Sequence, residues 1–261
     1  YGHACCMGLQ TGCGLSSNDD NSYPTQYPGT AMIANFTKPT KDKPTFLTHD
    51  EVVTFFHEFG HVMHEMCTRS KYIEFSGYRV ESDFVEAPSQ MLENWCWQRE
   101  SLLMMSAEVN GSKLPEELVQ KLIKSRLANV GLLNLRQLLF GIFDLNVHSK
   151  ATADTAMEFA KVQKQMLGID LTPETNPAAS FGHLMAGYDA RYYGYMWSEV
   201  FSADMFQSRF VKEGILNPKV GMEYRNKIIS KGGTRDAFLM LEDFLGKKPS
   251  EDAFLKQKGV N

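Results

Sequence analysis

One pentapeptide restricts this chain more than any other feature: His57-Glu58-Phe59-Gly60-His61. Its H-E-x-x-H spacing is chemically useful only on a helix. Residues four apart stand about 40° from each other around a helix axis and one turn along it. Two imidazoles so placed can reach one metal ion, with the glutamate beside them as a general base. The flanking sequence supplies the helix. Thr48-His49-Asp50-Glu51 is a capping box, with threonine at the N-cap and glutamate three residues on. Phe55, Phe56, Phe59 and Val62 add apolar neighbours. The predicted helix runs from this cap to about Cys67.

A catalytic zinc site needs a third protein ligand and an open coordination position. Without that ligand, His57 and His61 would be two helix-face histidines around an ordinary glutamate. The candidates downstream are His64, Cys67, Glu74, Glu81 and Glu86. His64 shares the helix face, but seven residues put it about 10 Å from His57 along the axis, too far to share one ion. Zincins with a third histidine break the helix at H-E-x-x-H-x-x-G-x-x-H. Here His64 stands at the glycine position and Cys67 at the last histidine. Glu81 and Glu86 remain, 20 and 25 residues beyond His61. Glu86 opens a predicted helix, where ligand geometry is rigid. Glu81 precedes it in an irregular stretch. Placement favours Glu86, and both stay open on the residues alone.

The rest of the chain reads as a mainly α-helical fold with a small β element near the N-terminus. Residues 1–47 form a β and loop portion, and 48–261 a helical portion. Two β-compatible segments, Gly2–Leu9 and Ala31–Thr37, flank a polar loop from Ser16 to Gly29. Helices are predicted from Asp83 past Trp97, from Pro115, and over about 130–149, 154–167, 189–213, 218–230 and 235–245. A loop carrying Pro173 and Pro177 covers 169–188.

Composition sets the outer bounds. With 43% hydrophobic and 22% charged residues, 261 positions suit one large globular domain or two small ones. A net charge of −4 provides no overall basic field for nucleic acid or anionic lipid. No stretch approaches 18 uninterrupted apolar residues; the longest apolar run, Leu132 to Leu145, is broken by Asn134, Arg136, Gln137 and Asp144. A transmembrane helix is therefore not expected. Cys5, Cys6, Cys13, Cys67 and Cys96 are odd in number and lack framework spacing, which predicts free thiols in a reducing compartment. No signal-peptide pattern is visible, so the expected location is the cytoplasm, with the mitochondrion as the other reducing choice. A chain opening at Tyr1 in mid-pattern is expected to be a piece of something longer.

HEFGHVMHEMC followed by DFVEAPSQMLENW resembles the thimet oligopeptidase and neurolysin family of zinc peptidases. The likeness extends to GHACCMGLQ and ANFTKPT upstream, and to SFGHLMAGYDARYYGYMWSEVFSADMF, VGMEYR and DAFL downstream. It covers nearly the whole chain. The resemblance implies one zinc ion held by His57, His61 and Glu86, with Glu58 as the general base. It also implies that Tyr188, Tyr195 and His183 face the metal and bind substrate or transition state. Tyr192 and Gly187, in the same segment, are assigned to substrate binding. The family's loop usually reads GHLAGGY, and Ala186 replaces one of its glycines here. Family members are much longer, so this chain resembles their C-terminal catalytic part, without the helical N-terminal portion. Short peptides are the implied substrates.

Other readings compete with this one. A zinc aminopeptidase wants Glu where Val80 stands. A thermolysin-like enzyme uses the Glu81 position and wants Asp where Val85 stands. A non-catalytic helical peptide-binding fragment is the remaining alternative, against which the intact His57, Glu58, His61 and Glu86 set argues. Ala31–Phe36 is a candidate edge strand along a substrate cleft, or simply a closing strand.

Overall fold

The computed structural model describes residues 3–14, 25–106 and 111–260. Helix α1 (His49–Met66) starts at the expected capping box: the Glu51 N–H donates to Thr48 Oγ1 at 3.3 Å and the Thr48 N–H to Glu51 Oε2 at 2.8 Å. Glu51 Oε1 also accepts from the Thr37 N–H and hydroxyl at 2.6 and 2.8 Å, fastening the preceding linker to the helix.

The β element lies against α1. Strands β1 (Ala4–Gln10) and β4 (Gly29–Ala34) pair antiparallel, Ala4 opposite Ala34 and Met7 opposite Ala31. The short strands β2 (Cys13–Gly14) and β3 (Thr25–Gln26) pair separately. The expected polar loop lies outside the described residues from 16 to 24, as does Gly2 of the first predicted strand.

Beyond α1 the regular elements among the described residues are all helical. The helix expected from Asp83 past Trp97 is divided in three. Residues 83–86 form turns, α2 covers only Ala87–Glu93, a tight turn spans Asn94–Trp97, and α3 (Arg99–Met105) follows extended backbone at Gln98. Pro88 sets the first of these boundaries: it lacks an N–H and fits only a first helical turn, so α2 starts at Ala87. Helices α4 (Glu116–Ser125), α5 (Val130–His148) and α6 (Thr155–Leu167) match expectation. Helix α7 (Gly194–Met205) begins later than predicted because 189–193 are turns; it then continues as a wider coil over Phe206–Val211. Next come α8 (Pro218–Tyr224), α9 (Ala237–Leu245) and an unexpected α10 (Asp252–Gln257).

Two apolar clusters hold these elements. The larger joins α2, α7, α8 and α9 around Phe84, Met91, Phe206, Ile228, Met240 and Phe244. The smaller joins α5, α6 and the following loop around Leu139, Phe143, Phe159, Val162 and Leu184. Helices α1 and α2 approach so closely that a Cβ on Gly60 would lie 2.5 Å from Ser89 Cα and 2.7 Å from the Pro88 carbonyl oxygen. The glycine within H-E-x-x-H thus admits the start of α2, directly after Glu86.

The membrane expectation needs one correction. Helix α5, with 19 residues at a mean hydropathy of 1.2, is long and apolar enough to cross a membrane by length and composition. Counting uninterrupted runs missed this, because Arg136 and Asp144 are diluted in the average. Only 22% of that helix is buried.

Candidate metal centre and active site

His57 and His61 project from α1 toward Glu86, the residue preceding α2. Glu86 Oε2 lies 3.3 Å from His57 Nε2 and 3.1 Å from His61 Nε2. One donor atom from each residue falls within 4.8 Å of the others, a cluster able to hold one metal ion. Two imidazole nitrogens and a carboxylate oxygen suit the ligand chemistry of zinc. Glu81, the other candidate, is engaged elsewhere: its Oε1 accepts from the Ala237 N–H at 3.0 Å, at the start of α9.

Each ligand is oriented by a neighbour. His57 Nδ1 lies 2.6 Å from Glu93 Oε1, so its second nitrogen faces a carboxylate. Glu86 Oε2 accepts from the Ser89 hydroxyl at 2.8 Å, and Oε1 from the Tyr188 hydroxyl at 2.9 Å. Glu86 is 3% exposed; burial disfavours its charge, but the His57 and His61 contacts win and hold its pKa well below the usual carboxylate range. Burial likewise opposes a charged His57, yet the hydrogen bonds to Glu86 and Glu93 raise it to about 10. Glu58 points into the same space, and burial raises its carboxyl pKa, the direction a general base requires.

These residues line a cavity of about 730 Å³, together with His183, Tyr188 and Tyr195. Tyr188 and Tyr195 stack with ring centroids 5.1 Å apart, and the Tyr195 ring lies 5.9 Å from that of His183. Burial first, then the charge of Glu86, raises both phenol pKa values, so both remain protonated donors at neutral pH. Gly187 sits at φ 90°, in the left-handed region that suits glycine, but neither it nor Tyr192 lines the cavity. Tyr192 is 7% exposed, and its hydroxyl donates to Gln137 Oε1 at 3.1 Å. The strand along the cavity is β1, through Ala4–Cys6 with His3 just before it, rather than the expected Ala31–Phe36 segment, whose β4 is its partner.

His64 is wholly buried, and among the described residues its ring nitrogens have no hydrogen-bond partner. Burial pushes its pKa down to about 3. It is neither a ligand nor a surface residue. The five cysteines are free thiols.

Two residues went unnoticed in the sequence. One is Glu93. The other is Asp144, fully buried on α5, which accepts the N–H groups of Ala190 and Tyr192 at 2.9 Å each. It pins the turn that presents Tyr188 and Tyr195.

A helix bearing two histidines, a glutamate directly preceding α2 and a second glutamate in the shared cavity define a metallopeptidase type of site. The chain belongs to peptidase family M3, whose family model matches residues 1–260. It is 46% identical over 241 residues to a thimet-like oligopeptidase of Dictyostelium discoideum, covering 90% of this chain and 36% of that protein. Saccharolysin of Saccharomyces cerevisiae is 42% identical over 267 residues, covering 100% and 37%. Oligopeptidase A of Escherichia coli is 39% identical over 245 residues, covering 90% and 35%. The chain thus spans little more than a third of the curated relatives it matches. Among solved structures, PZ peptidase A with an inhibitor shares the fold at a TM-score of 0.58 and 14% identity, covering 83% of this chain and 37% of that one.

Proposed function

We propose that this chain is the catalytic part of a zinc-dependent oligopeptidase that hydrolyses internal bonds of short peptides. The observation that carries this reading is the convergence of His57, His61 and Glu86 in one cavity with Glu58. Zinc held by His57, His61 and Glu86 would supply Lewis-acid polarisation of the scissile carbonyl and would lower the pKa of a water. Glu58 accepts the proton of the attacking water and delivers it to the leaving amine. Tyr195, with Tyr188 and His183 beside it, donates to the oxyanion as it develops. The edge of β1 at Ala4–Cys6 aligns the peptide backbone.

Residues 1–47 and 48–261 act as one catalytic region, and a preceding N-terminal portion of the same polypeptide supplies the facing wall of the peptide channel. The free thiols support a reducing compartment, the cytoplasm or the mitochondrion. A non-catalytic peptide-binding role is disfavoured by the complete ligand and base set.

The test pairs zinc content with cleavage of a quenched fluorescent short peptide, in this chain and in the longer protein. Glu58→Gln is expected to retain zinc and lose turnover. Wild-type turnover in that variant overturns the role of Glu58, and absence of zinc overturns the reading as a whole.

A further inference from the structure

Helix α5 is two different helices in sequence. Its second half is a core element: Leu139 and Phe143 are 2% and 0% exposed, packed on Phe159 and Val162 of α6, and Asp144 is hydrogen-bonded to the 190–192 turn. Its first half, residues 130–138, contains no buried position. Leu132, Leu133, Leu135 and Leu138 there are 53%, 56%, 37% and 39% exposed. At about 100° per residue, Leu132, Leu135 and Leu138 fall within about 120° of one another, Leu133 stands apart, and Asn134, Arg136 and Gln137 take up the remaining arc. A stripe of leucines left exposed beside polar residues is an apolar patch of the kind that marks an interaction surface. The patch continues past Leu138 into an apolar cavity of about 330 Å³, lined also by Leu145, Tyr193, Trp197 and Leu255.

We propose that residues 130–138 of α5, with this adjoining groove, form the seat on which the remainder of the longer polypeptide packs. The inference rests on the reading of the chain as part of a longer peptidase. The length available supports that occupant: relatives at 46% and 42% identity are matched over only 36% and 37% of their length. A membrane is a poorer occupant. Spanning it would withdraw Leu139, Phe143 and Asp144 from their buried partners, and would immerse Arg136, whose guanidinium lies 4.7 Å from the Phe140 ring centroid.

The experiment combines Leu132→Gln, Leu133→Gln and Leu135→Gln, exposed positions at which glutamine sustains a helix. Five measurements are made: the thermal midpoints of the isolated chain and of the longer protein, the Kd between this chain and the separately produced remainder, the assembly state of the chain alone, and its flotation with lipid vesicles. The triple variant is expected to leave the midpoint of the isolated chain unchanged. It should lower that of the longer protein by several degrees and raise the Kd at least tenfold. An unchanged Kd overturns the proposal. So does an isolated chain that is dimeric and becomes monomeric on substitution while the Kd holds, which assigns the face to a second copy. Variant-sensitive flotation with phosphatidylcholine and phosphatidylglycerol vesicles, at unchanged Kd, overturns it in favour of a membrane. None of these readouts uses peptide cleavage, so loss of the peptidase reading and loss of this one remain distinguishable.

Discussion

His57 holds Glu86 with one ring nitrogen and Glu93 with the other, at 3.3 and 2.6 Å. The second contact leaves Nε2 as the nitrogen turned toward Glu86, and a carboxylate partner of this kind makes the free ring nitrogen a better metal donor. Removing such a partner typically costs about 10–100-fold in metal affinity. Glu93→Gln is therefore expected to weaken zinc binding by that factor in a chelator competition, with the helical circular-dichroism spectrum unchanged. Wild-type affinity would return Glu93 to a purely structural place.

Glu86 and Glu81 give opposite expectations. Glu86→Gln removes a charged ligand from beside two imidazoles, and zinc stoichiometry should fall. Glu81→Gln leaves the metal cluster whole and disturbs only the hydrogen bond at the start of α9. Its effect should appear as a lower melting temperature at full zinc occupancy. Loss of zinc from the Glu81 variant alone would reverse the assignment.

Zinc affinity should depend steeply on pH. Without metal, His57 holds its proton up to about pH 10, because the hydrogen bonds to Glu86 and Glu93 outweigh the burial that opposes its charge. The metal must displace that proton, so affinity falls as pH falls, roughly tenfold per unit between pH 7 and 9. The slope should flatten above pH 10. A titration series that is flat from pH 7 to 9 contradicts a protonated His57 in the metal-free protein.

Ala190 stores strain near the site. Its φ of 57° lies in the left-handed region, and its N–H donates to the buried Asp144 at 2.9 Å. An alanine held there costs about 1 kcal/mol relative to glycine. Ala190→Gly should raise the melting temperature by about 2–4 °C. A lower melting temperature would mean that the alanine methyl has packing the backbone angle does not reveal.

What the sequence reveals divides by range. The α1 cap is written within four residues, 48–51, and it was legible. The ligand pair His57 and His61 needed only helix geometry. Glu86 was different: helix placement favoured it, but only the family resemblance separated it from Glu81, because the partner that occupies Glu81 is Ala237, 156 positions away. Glu93 carried a usable signal, standing seven residues and nearly two whole turns beyond Glu86, where it returns to the same helix face. Asp144 read only as an interruption of an apolar run. Nothing local announces that its carboxylate pins the turn 46 positions on. That turn is also why Tyr192, grouped by sequence with Tyr188 and Tyr195, points instead toward Gln137.

The two cavity tyrosines should separate in their effects. The Tyr188 hydroxyl donates to Glu86 Oε1 at 2.9 Å, so it supports a ligand directly. Tyr195 stacks on the Tyr188 ring, with no bond to Glu86 among the described contacts. Tyr188→Phe removes a donor from the ligand, and zinc affinity should fall together with kcat. Tyr195→Phe leaves the ligand shell intact, so zinc affinity should hold. A donor that acts only on the transition state lowers kcat and kcat/KM equally and leaves KM nearly unchanged. Loss of one such donor typically costs about 10²–10³-fold in kcat. The pair is measured in the longer protein, with zinc affinity and steady-state kinetics on the same preparations. A raised KM at normal kcat would make Tyr195 a substrate-binding residue only. A loss of zinc affinity equal to that of Tyr188→Phe would show that the stacked pair acts on the metal ligand as one unit, and would leave His183 as the oxyanion donor to test.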